Sequence, residues 1–354
     1  MDCTPKNTST AFNSSTSSSS AMGHNGLPDL CDFSSNCRQS FPWGWYAVML
    51  FLASVTCSAN ITSLVVLNRL RTTLTPVLRL ALMNLSVTDV VGSLSFIYHS
   101  LMSKLNTKTV GIECKIRYLF YVGMNVVTLY TLVYMTVERL IAVTLPFLHV
   151  RIDGKKFTAV ALTLIWIFSL STLVSGMHRL KTDLDLCLYH VMVPKTTHLL
   201  NATLALATIV FIVTSNLALY ANARREIVKI GRTLVGAESN TRDQLAEMAE
   251  KAASTTLAIV VPFAVFNTPL YLLMLVFYAS PEFMYSCLSV VLLTVFSTLL
   301  VLNSLCNPII YAWKLRPVQA ELKKMIPFLA RKSKPIGVPV TRTTSTGLQN
   351  TDPV

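Results

Sequence analysis

Seven stretches of this chain run for 20 residues or more with almost no charge, and no soluble fold makes use of such a pattern. They are residues 39–68, 80–103 with Asp89 as the sole interruption, 118–137, 157–178, 196–223, 252–281 and 283–313. A helix needs roughly 20 predominantly apolar residues to cross a bilayer, so each stretch is long enough to span one. The rest of the 354 residues agree: 52% are hydrophobic, 13% are charged, and the mean hydropathy is +0.53. Most of the stretches also hold Gly, Pro, Asn, Ser or Thr, the residues by which membrane helices pack on one another. The expected fold is therefore an all-α membrane protein, a bundle of seven transmembrane helices over residues 45–313.

An odd number of spans puts the termini on opposite sides. Of the 30 Lys and Arg residues, 20 fall after spans one, three and five or in the C-terminal tail. Positive residues are retained on the cytoplasmic side, so the N-terminus is expected outside and the tail inside, as in a multi-pass plasma-membrane protein. The net charge of +13 then follows from this bias and from attraction to anionic membrane lipids. Without a soluble basic domain, no nucleic-acid partner is expected.

Residues 1–44 are polar and Ser/Thr-rich, without the apolar core of a cleavable signal peptide, so the first span must serve as its own insertion signal. Asn7-Thr8-Ser9 and Asn13-Ser14-Ser15 are glycosylation sequons on the outer side, which makes this segment a disordered, glycosylated extracellular tail. Among eight cysteines, Cys57 and Cys306 lie within spans as packing residues. Cys114 and Cys187 lie outside, where oxidation is permitted, and are expected to form a disulfide. Cys3, Cys31, Cys37 and Cys287 are outside too, and three connectivities stay open for them. On the inner side, Gly231 and Gly236 are expected to break the linker running from about Ala223 to Glu247. Leu315, Val318, Leu322 and Met325 stand at helical spacing opposite Lys323-Lys324, as in a short amphipathic helix over 314–326 lying on the membrane surface. Residues 327–354 are polar and expected to be a disordered cytoplasmic tail.

Two ionisable sites stand out because charge within a membrane is costly. Asp89 sits in the middle of the second span, and Glu138-Arg139 closes the third. Asn303 and Asn307 are four residues apart and share a helix face. Pro269 and Pro308 each delete a backbone hydrogen bond within their spans and act as hinges.

Taken in order, these residues resemble the signatures of the rhodopsin-like G-protein-coupled receptors over roughly 45–326. Asn60 occupies the polar position of the first helix. Asn84-Leu85-Ser86-Val87-Thr88-Asp89 resembles N-L-x-x-x-D, Cys114 stands 25 residues before Arg139, and Glu138-Arg139-Leu140 resembles D/E-R-Y. Trp166 marks the fourth helix, Phe263 and Pro269 resemble F-x-x-x-C-W-x-P, and Asn303-Ser304-Leu305-Cys306-Asn307-Pro308-Ile309-Ile310-Tyr311 resembles N-S-x-x-N-P-x-I-Y. The resemblance implies a receptor, not an enzyme, that binds an extracellular ligand and activates a heterotrimeric G protein as helix six swings outward. Glu138, Arg139, Phe147, Tyr220, Pro269, Asn307, Pro308 and Tyr311 would form the switch and coupling surface. It further implies a sodium ion held by Asp89, Thr128, Asn303, Ser304 and Asn307 in the inactive state; a solvated or protonated Asp89 in a polar network is the plainer alternative. No other cofactor is implied. Receptor kinases and arrestin are implied as further partners through the cluster Thr341, Thr343, Thr344, Ser345 and Thr346.

Departures matter equally. Leu140 replaces the usual Tyr, Asn267 replaces the sixth-helix Trp, and Ala249 occupies the place of the acid that restrains Arg139. Glu247 and Glu250 are the acids left to do so. The expected ligand lining is Tyr98, His99, Arg117, Tyr118, Tyr121, Asn125, His198, Asn267, Tyr271 and Tyr285. Tyr121 stands where amine receptors carry an Asp, which disfavours a monoamine. Arg117 and the neighbouring lysines favour a lipid, peptide or organic acid bearing negative charge. The ligand itself is not identified. Lys251-Ala252-Ala253-Ser254-Thr255 resembles the odorant-receptor K-A-F-S-T and keeps an odorant-type chemoreceptor open. A channel or transporter is the rival of another class, though the chain carries no internal repeat.

Overall fold

The computed structural model describes residues 43–105, 111–145, 147, 154–177, 193–233, 239–280, 282–283 and 286–325. Among these, helices dominate and no strand occurs. The elements are α1 (Trp43–Arg69), α2 (Pro76–Leu105), α3 (Gly111–Thr144), α4 (Gly154–Met177), α5 (Lys195–Thr233), α6 (Ser239–Ala279), α7 (Cys287–Lys314) and α8 (Arg316–Met325). The first seven are each long and apolar enough to cross a membrane. The expected tails, with Asn7, Asn13, Cys3, Cys31, Cys37 and the Thr341–Thr346 cluster, lie outside the described residues.

Local chemistry sets the ends. Pro76 opens α2, where a missing N–H costs nothing. Ser286 caps α7 by accepting the Ser289 N–H at 3.2 Å. Several helices outrun their charge-free stretches. Glu113 and Arg117 lie inside α3 and are paired with each other, so the charge does not end the helix. Gly231, expected to break the inner linker, lies within α5. A single helical glycine costs only about 1 kcal/mol, and the surrounding Arg224, Arg225, Glu226 and Lys229 are compatible with helix. Gly236 is outside the described residues.

One apolar core fills the half of the bundle nearer Arg139. Val66 and Leu67 of α1, Leu82 and Leu85 of α2, Leu132 of α3, Ile212 of α5, Ile259, Val260 and Phe263 of α6, and Ile310 and Tyr311 of α7 are all buried in it. Leu315 and Val318 join the same core, with Leu322 and Met325 packed against it, while Lys323 and Lys324 stay exposed. The amphipathic helix thus forms where its spacing predicted. Glu321 of α8 hydrogen-bonds Lys324 at 3.2 Å and lies 3.5 Å from Arg69 of α1; the bond from Lys324 first, then Arg69, holds its carboxyl below the usual range. On α4, Val160, Leu164, Ile167 and Phe168 point outward, the lipid-facing side of a peripheral helix.

Pro308 explains the tie between α1 and α7. Its ring nitrogen cannot donate to the carbonyl four residues back, which is Ser304 O. That carbonyl instead accepts Asn60 Nδ2 at 3.1 Å, and the same amide also reaches Thr56 O at 3.0 Å. Asn60 is fully buried, so Asn60→Ala strands a buried carbonyl, a loss of about 1–3 kcal/mol. A lower unfolding midpoint in detergent is expected for Asn60→Ala; an unchanged midpoint would remove this role.

Candidate functional site

Between the two ends of the bundle lies a buried carboxylate. Asp89 is buried on α2, and its Oδ2 accepts Asn307 Nδ2 of α7 at 2.8 Å. Asn303 and Asn307 are both buried, as their four-residue spacing predicted. Thr128 of α3 lies 3.2 Å, hydroxyl to hydroxyl, from Thr88, the residue before Asp89. Leu85, Thr128, Leu132, Ile259, Phe263, Asn303 and Asn307 line a crevice beside this group that is too tight to hold a water molecule as the side chains stand. One carboxylate with hydroxyl and amide oxygens is a hard donor set of net charge −1, chemistry that fits a sodium ion. Asn307 presents its nitrogen rather than its oxygen to Asp89, so as an amide it orients the carboxylate.

Further polar side chains lock neighbouring helices. Asn84 of α2 donates to Thr131 Oγ1 of α3 at 2.9 Å and accepts Trp166 Nε1 of α4 at 2.8 Å, which joins three helices through one amide. Asn216 of α5 donates to Thr136 Oγ1 of α3 at 2.8 Å. Asn216, an amide inside a charge-free span, carries the same kind of sequence signal as Asp89.

At the end of α3, Arg139 Nε lies 3.1 Å from Glu138 Oε2, with the Glu138 side chain 9% and that of Arg139 24% exposed. The expectation that Glu250 restrains Arg139 is not met. Glu250 Oε1 instead lies 3.6 Å from Arg224 Nε of α5, and the Arg224 guanidinium sits 5.8 Å from the centre of the Tyr220 ring. α5 packs along α6, so an acid on the α5 side of α6 meets Arg224 before it can reach across to α3. The Glu247 side chain lies outside the described residues. Tyr311 is buried in the core and its hydroxyl makes no hydrogen bond of good geometry. Phe147 is 85% exposed, an apolar side chain displayed past the end of α3. Pro269 lies inside α6, together with Pro262, and Pro308 inside α7.

The expected ligand lining divides. Arg117 is 4% exposed and gripped by Glu113 through two bonds, Nε to Oε1 at 3.0 Å and Nη2 to Oε2 at 2.6 Å. Tyr98 Oη donates to the same Oε1 at 3.0 Å, and the guanidinium lies 5.7 Å from the Tyr98 ring centre. The Arg117 charge is thus met by a carboxylate one turn away on its own helix. His198 is buried, edge-on to Phe277 at 6.1 Å. Asn267 is fully buried, its amide donated to Phe263 O of its own helix at 2.8 Å, and its Oδ1 has no hydrogen-bond partner. Tyr271 packs against two apolar clusters. His99 and Asn125 are half-buried, while Tyr285 and the side chains of Tyr118 and Tyr121 lie outside the described residues. None of the expected lining residues borders the cleft beside Asp89. Cys114 and Cys287 are both disulfide-bonded; Cys187 lies outside the described residues.

Glu113→Gln leaves the buried Arg117 charge without its counter-ion. The loss is expected to fall short of the about 3–5 kcal/mol of a wholly buried pair, since Glu113 retains contact with solvent. A lowered unfolding midpoint that recovers in the double variant Glu113→Gln/Arg117→Gln is the expected result, and additive losses would argue against the pairing.

No curated protein matched the chain. The family described as 7 transmembrane receptor (rhodopsin family) matches residues 59–311, a range that begins just before Asn60 and ends on Tyr311 and so takes in Asp89, Glu138-Arg139, Pro269 and Pro308. With seven membrane-length helices carrying these residues, the chain belongs to the rhodopsin family of seven-transmembrane receptors.

Proposed function

We propose that the protein is a plasma-membrane receptor, with its N-terminus outside, that catalyses nucleotide exchange on a heterotrimeric G protein when an extracellular ligand acts on it. Members of this family are receptors rather than enzymes and generally signal through G proteins. The observation that carries the reading is the Glu138–Arg139 pair, an ion pair of 3.1 Å near the end of α3. In water such a pair contributes little, so its worth here lies in being breakable. Outward movement of α6 would uncover Arg139 for the G protein. Phe147 would insert into the G protein, and Tyr220 and Tyr311 would turn inward to hold the open form. Asp89, with Thr128, Asn303, Ser304 and Asn307, would hold sodium in the closed form. Receptor kinases and arrestin would act on the C-terminal Thr and Ser cluster.

The ligand is proposed to enter at the end of the bundle away from Arg139. With Arg117 paired to Glu113, a preference for negative charge rests on outlying lysines such as the exposed Lys195, and a lipid, peptide or organic acid is the ligand class proposed. A Cys114–Cys187 disulfide would tie the outer loop over this end.

Arg139→Ala is expected to abolish basal and ligand-driven nucleotide exchange while surface expression is kept; coupling at the wild-type level would overturn the role given to Arg139. Cys187→Ala is expected to cost about 2–5 kcal/mol of stability, read as lost surface delivery. Normal delivery with an unchanged unfolding midpoint would count against that bridge.

A further inference from the structure

Among the described residues, the end of α6 nearest Arg139 carries a polar tie to α5 and another to α7, and these differ in kind. Toward α5, Arg224 and Glu250 form a long ion pair at 3.6 Å with side chains 63% and 30% exposed, a pair that solvent weakens. Toward α7, Lys314 Nζ donates to Ser254 Oγ at 3.0 Å in a partly buried contact. Lys314 is itself well fixed. It is the last residue of α7, where the helix dipole favours a cation, and its ammonium lies 4.5 Å from the centre of the Trp313 ring. A charged donor held in place from two sides makes a stronger hydrogen bond than a neutral one. Directly deeper on α6, Ile259, Val260 and Phe263 share a core with Tyr311 of α7.

Among the described residues, Arg139 makes no such tie to α6. Its guanidinium is drawn to Glu138 on its own helix, Glu250 is turned to Arg224, and residue 249 is an alanine. We infer that Lys314 and Ser254 are the positioning residues that set the resting place of α6, so that this receptor is held shut from α7 rather than from the arginine of α3. Any displacement of α6 away from the bundle axis lengthens the Lys314–Ser254 bond first, because Asn60 and Asp89 hold α7 ahead of Pro308 and the buried Leu315 and Val318 hold the chain beyond it. The consequence for signalling rests on the function proposed above; the latch itself does not.

The test uses the full-length receptor in lipid nanodiscs with a panel of purified heterotrimeric G proteins, and spin labels on Asn68 and Leu257 to read the position of α6 without any G protein. Ser254→Ala and Lys314→Met are expected to lengthen the label-to-label distance and to raise basal exchange about three- to ten-fold, tenfold being worth about 1.4 kcal/mol. Ser254→Thr, which restores the hydroxyl, recovers the resting value that Ser254→Ala loses. Ser254→Asp, which sets a carboxylate against Lys314, lowers exchange below wild type, an opposite sign that mere loss of stability does not give. A lengthened distance with no exchange in any variant supports the latch and tells against the G-protein reading. An unchanged distance in both Ser254→Ala and Lys314→Met overturns the latch.

Discussion

The hydrogen bond from Asn307 to Asp89 is the interaction on which the arrangement of the other helices depends. Lipid is as apolar as leucine, so burying apolar surface does not by itself bring one membrane helix to another. Polar side chains that have no water to turn to do so instead. Asp89 joins α2 to α7, Asn60 joins α1 to α7 at the carbonyl that Pro308 leaves open, Asn84 gathers α2, α3 and α4, and Asn216 joins α5 to α3. Each amide is placed so that moving one helix strands a buried group on the next. Single bonds of this kind average only about 0.6 kcal/mol in measured membrane proteins, so their value lies in fixing geometry more than in adding stability.

α6 is held differently. Its mid-span amide, Asn267, is turned to its own Phe263 carbonyl, and Ile259, Val260 and Phe263 pack it against the core through apolar surface. Apolar surfaces slide past one another without leaving a donor or acceptor unpaired. Pro262 and Pro269 further remove two rungs from its hydrogen-bond ladder. A helix joined to its neighbours in this way is the one that can move while α1, α2, α3 and α7 keep their places. The polar contacts at its end, to Lys314 and Arg224, then govern when it moves. The same division gives the bundle a fixed part that positions Asp89 and a part whose movement, in the function proposed, would uncover Arg139.

Much of this was legible in the sequence, since both spans and buried polar sites are written in where charge is absent and where it intrudes. The spacing of Asn303 and Asn307 placed both on one buried face, and Leu315, Val318, Leu322 and Met325 gave the surface helix to within about two residues. Three things were not legible. Helix ends beyond the apolar stretches depend on pairings such as Arg117 with Glu113, which turn two charges four residues apart into a continuation of α3. The partner of Glu250 depends on which helix packs beside α6, and a one-dimensional pattern does not say whether α3 or α5 is nearer. The ties from Asn216 to Thr136 and from Lys314 to Ser254 join residues 80 and 60 positions apart whose types are unremarkable alone. For the ligand lining, helix register indicated inward-facing positions, but only packing distinguishes a residue facing a cavity from one such as Asn267 sealed within the core.

If the Asp89–Asn307 bond is the fixed point of the bundle, exchanging its two partners is the most direct test. Asp89→Asn places two amides face to face, and Asn307→Asp places two carboxylates together, so each single change should lower the unfolding midpoint and impair basal nucleotide exchange. The double variant Asp89→Asn/Asn307→Asp rebuilds one carboxylate against one amide in reverse, and recovery of both readouts toward wild type is the predicted result. A double variant no better than the worse of the two singles would contradict the account.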